Sequence, residues 1–117
     1  AMYDNFHFAP GIKTENLLLM SGQVGNDASG KCPEDFTEQF RLAFQNIEAI
    51  LTEAGGDLSN IVELTSYHIG MREHLREFIA VKDEMISEPY PAWTAIGCTE
   101  LAMPGAVVEI RAQAVLR

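Results

Sequence analysis

The sequence predicts a two-layer α+β domain in which two helices pack on one face of a mixed sheet. Three observations carry that prediction. Apolar residues recur every three or four positions in two separate segments, Phe36 to Leu51 and Leu75 to Ile86. Segments rich in apolar and β-branched residues lie before, between and after them and read as strands. Glycine and proline clusters separate the segments and supply the turns. At 117 residues and 47% hydrophobic composition the chain is long enough for one core and too short for two, so residues 1–117 read as a single domain.

The elements follow in order. Leu17-Leu18-Leu19-Met20 is a short apolar run ending at Ser21-Gly22 and reads as a buried strand. Gly25-Asn26-Asp27-Ala28-Ser29-Gly30 gathers turn formers and reads as a loop. The spacing of Phe36, Phe40, Ala43, Phe44, Ile47, Ile50 and Leu51 predicts a helix over 33–54, with Glu34 and Asp35 in its first turn and Gly55-Gly56 as its stop. Ile61 to Ile69 reads as a strand. Leu75, Phe78, Ile79, Met85 and Ile86 form a second helical stripe, interrupted by Lys82 and ended by Pro89-Tyr90-Pro91. Trp93 to Thr99 reads as a strand, and Pro104-Gly105 breaks the chain before a last strand, Ala106 to Leu116. In that strand Val108, Ile110, Ala112, Ala114 and Leu116 point one way and Glu109, Arg111 and Gln113 the other. The polar side makes no hydrophobic core, which suits a solvated interface between subunits.

Charge narrows the function. Eight Lys and Arg against 17 Asp and Glu leave a net charge of −9, and the basic residues are scattered. Phosphate backbones and anionic lipid surfaces select clustered cations, so nucleic acid and membrane are not the expected partners. No apolar run reaches the roughly 20 residues that cross a bilayer. The first residues carry no signal-peptide pattern, residues 1–7 are expected to be flexible, and Ala1 ahead of Met2 reads as a remnant of expression cloning. Cys32 and Cys98 lie far apart and fit a reducing cytoplasm without a disulfide. A catalytic role for Cys98 lacks an adjacent histidine, so a buried, inert thiol is expected. His7, His68 and His74 have no metal-ligand spacing, His68 reading as a satisfied, partly buried side chain. There is no glycine-rich phosphate loop or dinucleotide fingerprint, and no cofactor is implied.

Several stretches together resemble the YjgF/RidA family of reactive-intermediate deaminases. They are Leu17 to Gln23, the helix segment Gln45-Asn46-Ile47-Glu48-Ala49-Ile50-Leu51 with Ala54-Gly55-Gly56, the pair Pro91-Ala92 opening a strand, and Val108-Glu109-Ile110. They stand in the family's order and span almost the whole chain from Phe8. Ser21-Gly22-Gln23-Val24-Gly25, Arg41-Leu42-Ala43-Phe44 and Tyr90 to Gly97 look most like its YjgH-like branch. The resemblance implies a chorismate-mutase-like fold (β-β-α-β-α-β-β) and a homotrimer whose sheets form an inner barrel. It also implies small-molecule clefts between neighbouring subunits, where deaminase members hydrolyse imines and enamines to 2-keto acids and ammonia. Some relatives carry an endoribonuclease label, against which the charge of this chain argues.

Imine hydrolysis needs a group that orients and deprotonates water and a group that holds the substrate carboxylate. In the family the second is an arginine directly after Pro-Ala, and here that position is Trp93, which offers one donor and no charge. Phe8 stands where many members have tyrosine, Lys82 where many have asparagine, and Ala95 where deaminases often have cysteine or threonine. Ser21, Gly22 and Glu109 match, and Glu109 corresponds to the water-orienting carboxylate; a solvated or interface-paired residue is the alternative. Arg111 and Lys82 are the two cations that could substitute for the arginine, but pairing of Arg111 with Glu109 or a neighbouring subunit, and a Lys82 ammonium that snorkels to solvent from the helix edge, are the expected outcomes. Trp93 is either a core or interface anchor or a flat cleft wall, with Thr94 and Ser21 as hydroxyl partners. Two functions remain: a cofactor-independent hydrolase acting on C=N or a related small molecule, and a trimer that binds a small ligand in the same clefts without turnover.

Overall fold

The computed structural model describes residues 8–117; the expectation for residues 1–7 falls outside them. A hairpin opens the chain, β1 (Gly11–Thr14) pairing antiparallel with β2 (Leu17–Met20), and β3 (Gln23–Val24) follows. Helix α1 (Phe36–Glu53) and a single 3₁₀ turn (Leu58–Asn60) lead to β4 (Ile61–His68). Then come α2 (Met71–Met85), β5 (Ala92–Gly97) and β6 (Val108–Val115). The strands form one mixed sheet in the order β1-β2-β6-β4-β5, with β3 also on β6 and β4–β5 the parallel pair. Two helices cover one face of it, the two-layer α+β arrangement expected.

Helix α1 is shorter at its start than the apolar spacing predicts. Asp35 is its N-cap, accepting from the Thr37 N–H at 3.0 Å, so Pro33 and Glu34 precede the helix and Glu38 is the acid of its first turn. Its end is a Schellman motif: Gly56 N–H donates to the Leu51 carbonyl and Gly55 N–H to that of Thr52, with Gly55 at φ +89°. Helix α2 stops at Met85, leaving Ile86 as its cap rather than its last turn.

The core lies between α1, α2 and the covered sheet face. Phe40, Phe44, Ile47, Leu51 and Phe78 meet Leu18, Leu64, Val108, Ile110 and Ala112 there, all buried. Strand β6 alternates as predicted, with Glu109, Arg111 and Gln113 on the other face. A register shift between Ile61 and Glu63 lets Ile61, Leu64, Ser66 and His68 all turn toward the helices. The buried Gln39 joins the layers: its Nε2 donates to the carbonyls of Pro33 (2.7 Å) and Gly105 (2.9 Å), and its Oε1 accepts from Val107 N–H (3.0 Å). Among the described residues no helix covers the second sheet face, where Ile12 is 58% and Ile96 41% exposed.

Candidate functional site

Glu109 projects from β6 on the uncovered sheet face, opposite Tyr67 of β4 and Val24 of β3. Its carboxylate rests directly against Gly22. A Cβ at position 22 would stand 2.7 Å from the Glu109 Cδ, so only glycine leaves the carboxylate where it is. Together they border a cavity of about 400 Å³ that Phe8, Val24, Ala102, Met103 and Pro104 complete. Glu109 is the one ionisable side chain among these lining residues, at the edge of an otherwise apolar surface. Ser21 sits beside it, its hydroxyl donating to the Ala9 carbonyl (2.7 Å) and its N–H to that of Pro10 (2.8 Å). That pins the segment carrying Phe8 and leaves only the Ser21 oxygen lone pairs for a ligand. A larger cavity, about 540 Å³ between β1 and the end of α1, contains none of the expected site residues.

The other expected residues lie elsewhere in the chain. Trp93 pairs with Leu64 across β5–β4, so it belongs to the helix-covered face, as does Ala95 beside Ser66. Thr94 and Arg111 both pair with Thr65 and occupy the uncovered face, one row along from Glu109. Pairing of Arg111 with Glu109 does not occur: successive same-face positions of a strand are about 7 Å apart and run side by side, and the Glu109 carboxylate turns toward Gly22 instead. Nor does Lys82 interrupt the stripe of α2. It is buried, with Nζ 4.9 Å from the centre of the Trp93 ring. Cys98 is half-buried rather than buried, and both cysteines are free.

The indole N–H of Trp93 donates to the Ser66 hydroxyl (2.8 Å), the first link of a buried chain. Ser66 Oγ lies 2.7 Å from His68 Nε2, and His68 Nδ1 lies 3.1 Å from His74 Nε2. His74 Nδ1 is buried and unpartnered. Burial, reinforced by the neighbouring His74, pushes His68 down to about 4. Burial likewise lowers His74, with Glu77 and Glu73 opposing. Both rings are therefore neutral at pH 7. The tautomers that complete the chain have Ser66 donating to His68 and His68 Nδ1–H donating to His74. Among the described residues no group of three or more His, Cys, Asp or Glu is placed to hold a metal, and no helix is long and apolar enough to cross a membrane.

The family model described as Endoribonuclease L-PSP matches residues 1–116. The chain belongs to that family. It is 39% identical over 103 residues to the RutC family protein YjgH of Escherichia coli K12, covering 87% of this chain and 79% of that one. It is 30% identical over 116 residues to the 2-iminobutanoate/2-iminopropanoate deaminase of the same organism, covering 94% and 88%. A solved structure of protein YJGH matches 99% of this chain and 88% of its own at 37% identity, with a TM-score of 0.91.

In this L-PSP family chain, sequence reasoning overlooked the Ser66–His68–His74 chain and Gln39. The signals were present: Ser66 and His68 alternate with Leu64 on one strand face, and His74 stands one turn before Phe78. Two expected outcomes follow from the geometry. Gly22→Ala displaces the flexible Glu109 side chain rather than backbone, so stability should barely change, while any reaction that uses the carboxylate slows by about tenfold or more. Equal rates in the two proteins would detach Glu109 from Gly22. The second concerns pH. The folded His68 binds a proton less readily than the unfolded chain, so its stabilisation is complete above pH 6.5 and is lost as pH falls toward 4. At pH 4 the loss amounts to about 3 kcal/mol. Urea unfolding at several pH values checks this, because His68→Asn should lose less stability than wild type over that window; parallel curves would contradict it.

Proposed function

We propose that this L-PSP family chain is a cofactor-independent hydrolase of small imines and enamines, working as a homotrimer in clefts between subunits. The observation that carries the reading is the Glu109 carboxylate held against Gly22 beside a cavity of about 400 Å³. Glu109 takes a proton from water as the oxygen adds to the C=N carbon. The nitrogen gains a proton, and collapse of the resulting carbinolamine expels ammonia and leaves a carbonyl. Each turnover consumes one water and needs no redox partner or metal. The likeness to a protein named 2-iminobutanoate/2-iminopropanoate deaminase supports this class of substrate. The net charge of −9 favours it over RNA.

The exposed Ile12 and Ile96, beside Glu109, Arg111 and Gln113 on an uncovered sheet face, support further copies of the chain packing there as an inner barrel. The free Cys32 and Cys98 fit a reducing cytoplasm. The test is a coupled assay with imino acids generated in situ, alongside light scattering. Acceleration over the spontaneous rate by a particle of three chains is expected. A monomer at micromolar concentration removes the shared clefts, and no acceleration with any imino acid removes the hydrolase.

A second reading rests on Trp93. Its one donor is already spent on Ser66, which suits a cleft that binds a small ligand without turnover. A ligand that binds Glu109→Gln as tightly as wild type, with no product formed by wild type, would decide for it.

A further inference from the structure

The cavity beside Glu109 carries charge of one sign. Its other walls, Phe8, Val24, Met103 and Pro104 among them, are apolar, and no cation stands among the described residues that line it. Gly22 keeps the carboxylate at the cavity edge, because a Cβ at that position would stand 2.7 Å from the Glu109 Cδ. Trp93 and Lys82 belong to the helix-covered side of the sheet, Trp93 through its pairing with Leu64 and Lys82 through its seat on the Trp93 ring. On the cavity's own face Arg111 is the one cation among the described strand residues, a row along from Glu109 and outside the lining. A second copy packing by this face presents the same strand residues again. A ligand carboxylate entering here loses water, finds no counter-ion and meets a like charge. A ligand cation is drawn by the Glu109 carboxylate, by the ring of Phe8 and by the net charge of −9.

We propose that this cavity selects carboxylate-free iminium ions, R–CH=NH₂⁺ with an aliphatic R derived from a simple amine, and that 2-imino acids are the poorer substrates of the same site. The turnover of these ions rests on the hydrolase reading; the selection of cation over carboxylate does not. Water adds its oxygen to the iminium carbon as Glu109 takes one of its protons, and the C=N electron pair moves to nitrogen. Glu109 returns that proton to the nitrogen of the carbinolamine. The C–N bond then breaks, the hydroxyl proton passes to Glu109, and aldehyde and ammonia leave, the ammonia carrying that proton away as ammonium. R lies on the apolar wall, where Phe8 and Met103 offer a ring face and a flexible side chain. The carboxylate therefore serves twice, as the counter-ion that holds the cation and as the base that activates water.

The test compares two imines that differ only by a carboxylate. An amine oxidase generates one in situ from 3-methylbutan-1-amine, an amino-acid oxidase generates the other from leucine, and semicarbazide traps whatever escapes hydrolysis. The carboxylate-free imine is expected to have the higher kcat/KM by about tenfold or more. Met103→Lys places an ammonium in the lining and should bring that ratio to one or below. Binding without turnover is read by calorimetry with 3-methylbutylammonium against 4-methylpentanoate, which share an apolar skeleton and carry opposite charges. The ammonium should bind more tightly by about tenfold, and Glu109→Gln should remove the difference. Equal or faster turnover of the imino acid overturns the selection, and loss of that turnover in Arg111→Gln would name the cation responsible. A ratio unmoved by Met103→Lys, or equal binding of the two ions, overturns it too. Preference for the ammonium with turnover of neither imine keeps the selection and removes the hydrolase. Turnover of the imino acid alone keeps the hydrolase and overturns the selection.

Discussion

Glu109→Gln is expected to slow imine hydrolysis by about 10²- to 10⁴-fold, the usual contribution of a positioned general base, while the fold and the subunit assembly stay as they are. Glutamine has nearly the same shape, so it keeps the contact with Gly22 and the lining of the cavity. What it loses is the capacity to take a proton from water. The half-buried site on an open sheet face also means that no buried charge pair is broken by the change. Alanine would be a less specific probe, because it enlarges the cavity as well. The measurement is the coupled assay at saturating imino acid, with circular dichroism and light scattering as controls for fold and mass. A rate within a factor of about two of wild type, on the scale where tenfold is 1.4 kcal/mol, would take Glu109 out of the mechanism.

Phe78→Ala is expected to destabilise the fold by about 3–5 kcal/mol, the range for removing a fully buried aromatic ring. Phe78 is 0% exposed and joins every layer of the core. Its ring meets Phe40 edge-on at 5.3 Å and stacks near Phe44 at 5.7 Å, both on α1. On the sheet face below, it meets His68 edge-on at 4.7 Å and Trp93 at 5.9 Å. No neighbour is a flexible surface side chain able to refill the space, which puts the expected loss toward the upper part of that range. The loss should also loosen Trp93 and with it the seat of Lys82. Urea unfolding followed by tryptophan fluorescence measures it. A change below about 1 kcal/mol with an unaltered denaturant slope would mean that the aromatic cluster is not the centre of the core.

Much of the fold was legible in the residues. The period of Phe40, Phe44, Ile47 and Leu51 located α1, and Gly55-Gly56 marked its end, because a helix stripe and a left-handed stop are local facts. The alternation of β6 separated Glu109 from the core for the same reason. Strands β1 and β3, four and two residues long, carried too little pattern to be located. The start of α1 slipped because Glu34 and Asp35 suit a first turn as well as a cap, and only the Asp35–Thr37 hydrogen bond separates the two.

The candidate site divided along the same line. Glu109 and Gly22 could be named from resemblance, yet their mutual contact depends on β3 pairing with β6. Lys82 read as a break in an apolar stripe and proved to be part of it, because its aliphatic stem packs while its ammonium finds an aromatic face. The sequence by itself determined the types of the longer elements, the inward faces of α1 and β6, and the acidic, unstapled character of the chain. Only the tertiary structure decided that Trp93 lies under Lys82, that Ser66, His68 and His74 form one chain, and that Glu109 faces the opposite way. Periodicity is a property of neighbours along the chain. Which faces meet is set by strand register, the irregularity between Ile61 and Glu63, and the parallel pairing of β4 with β5, and these link residues far apart in sequence.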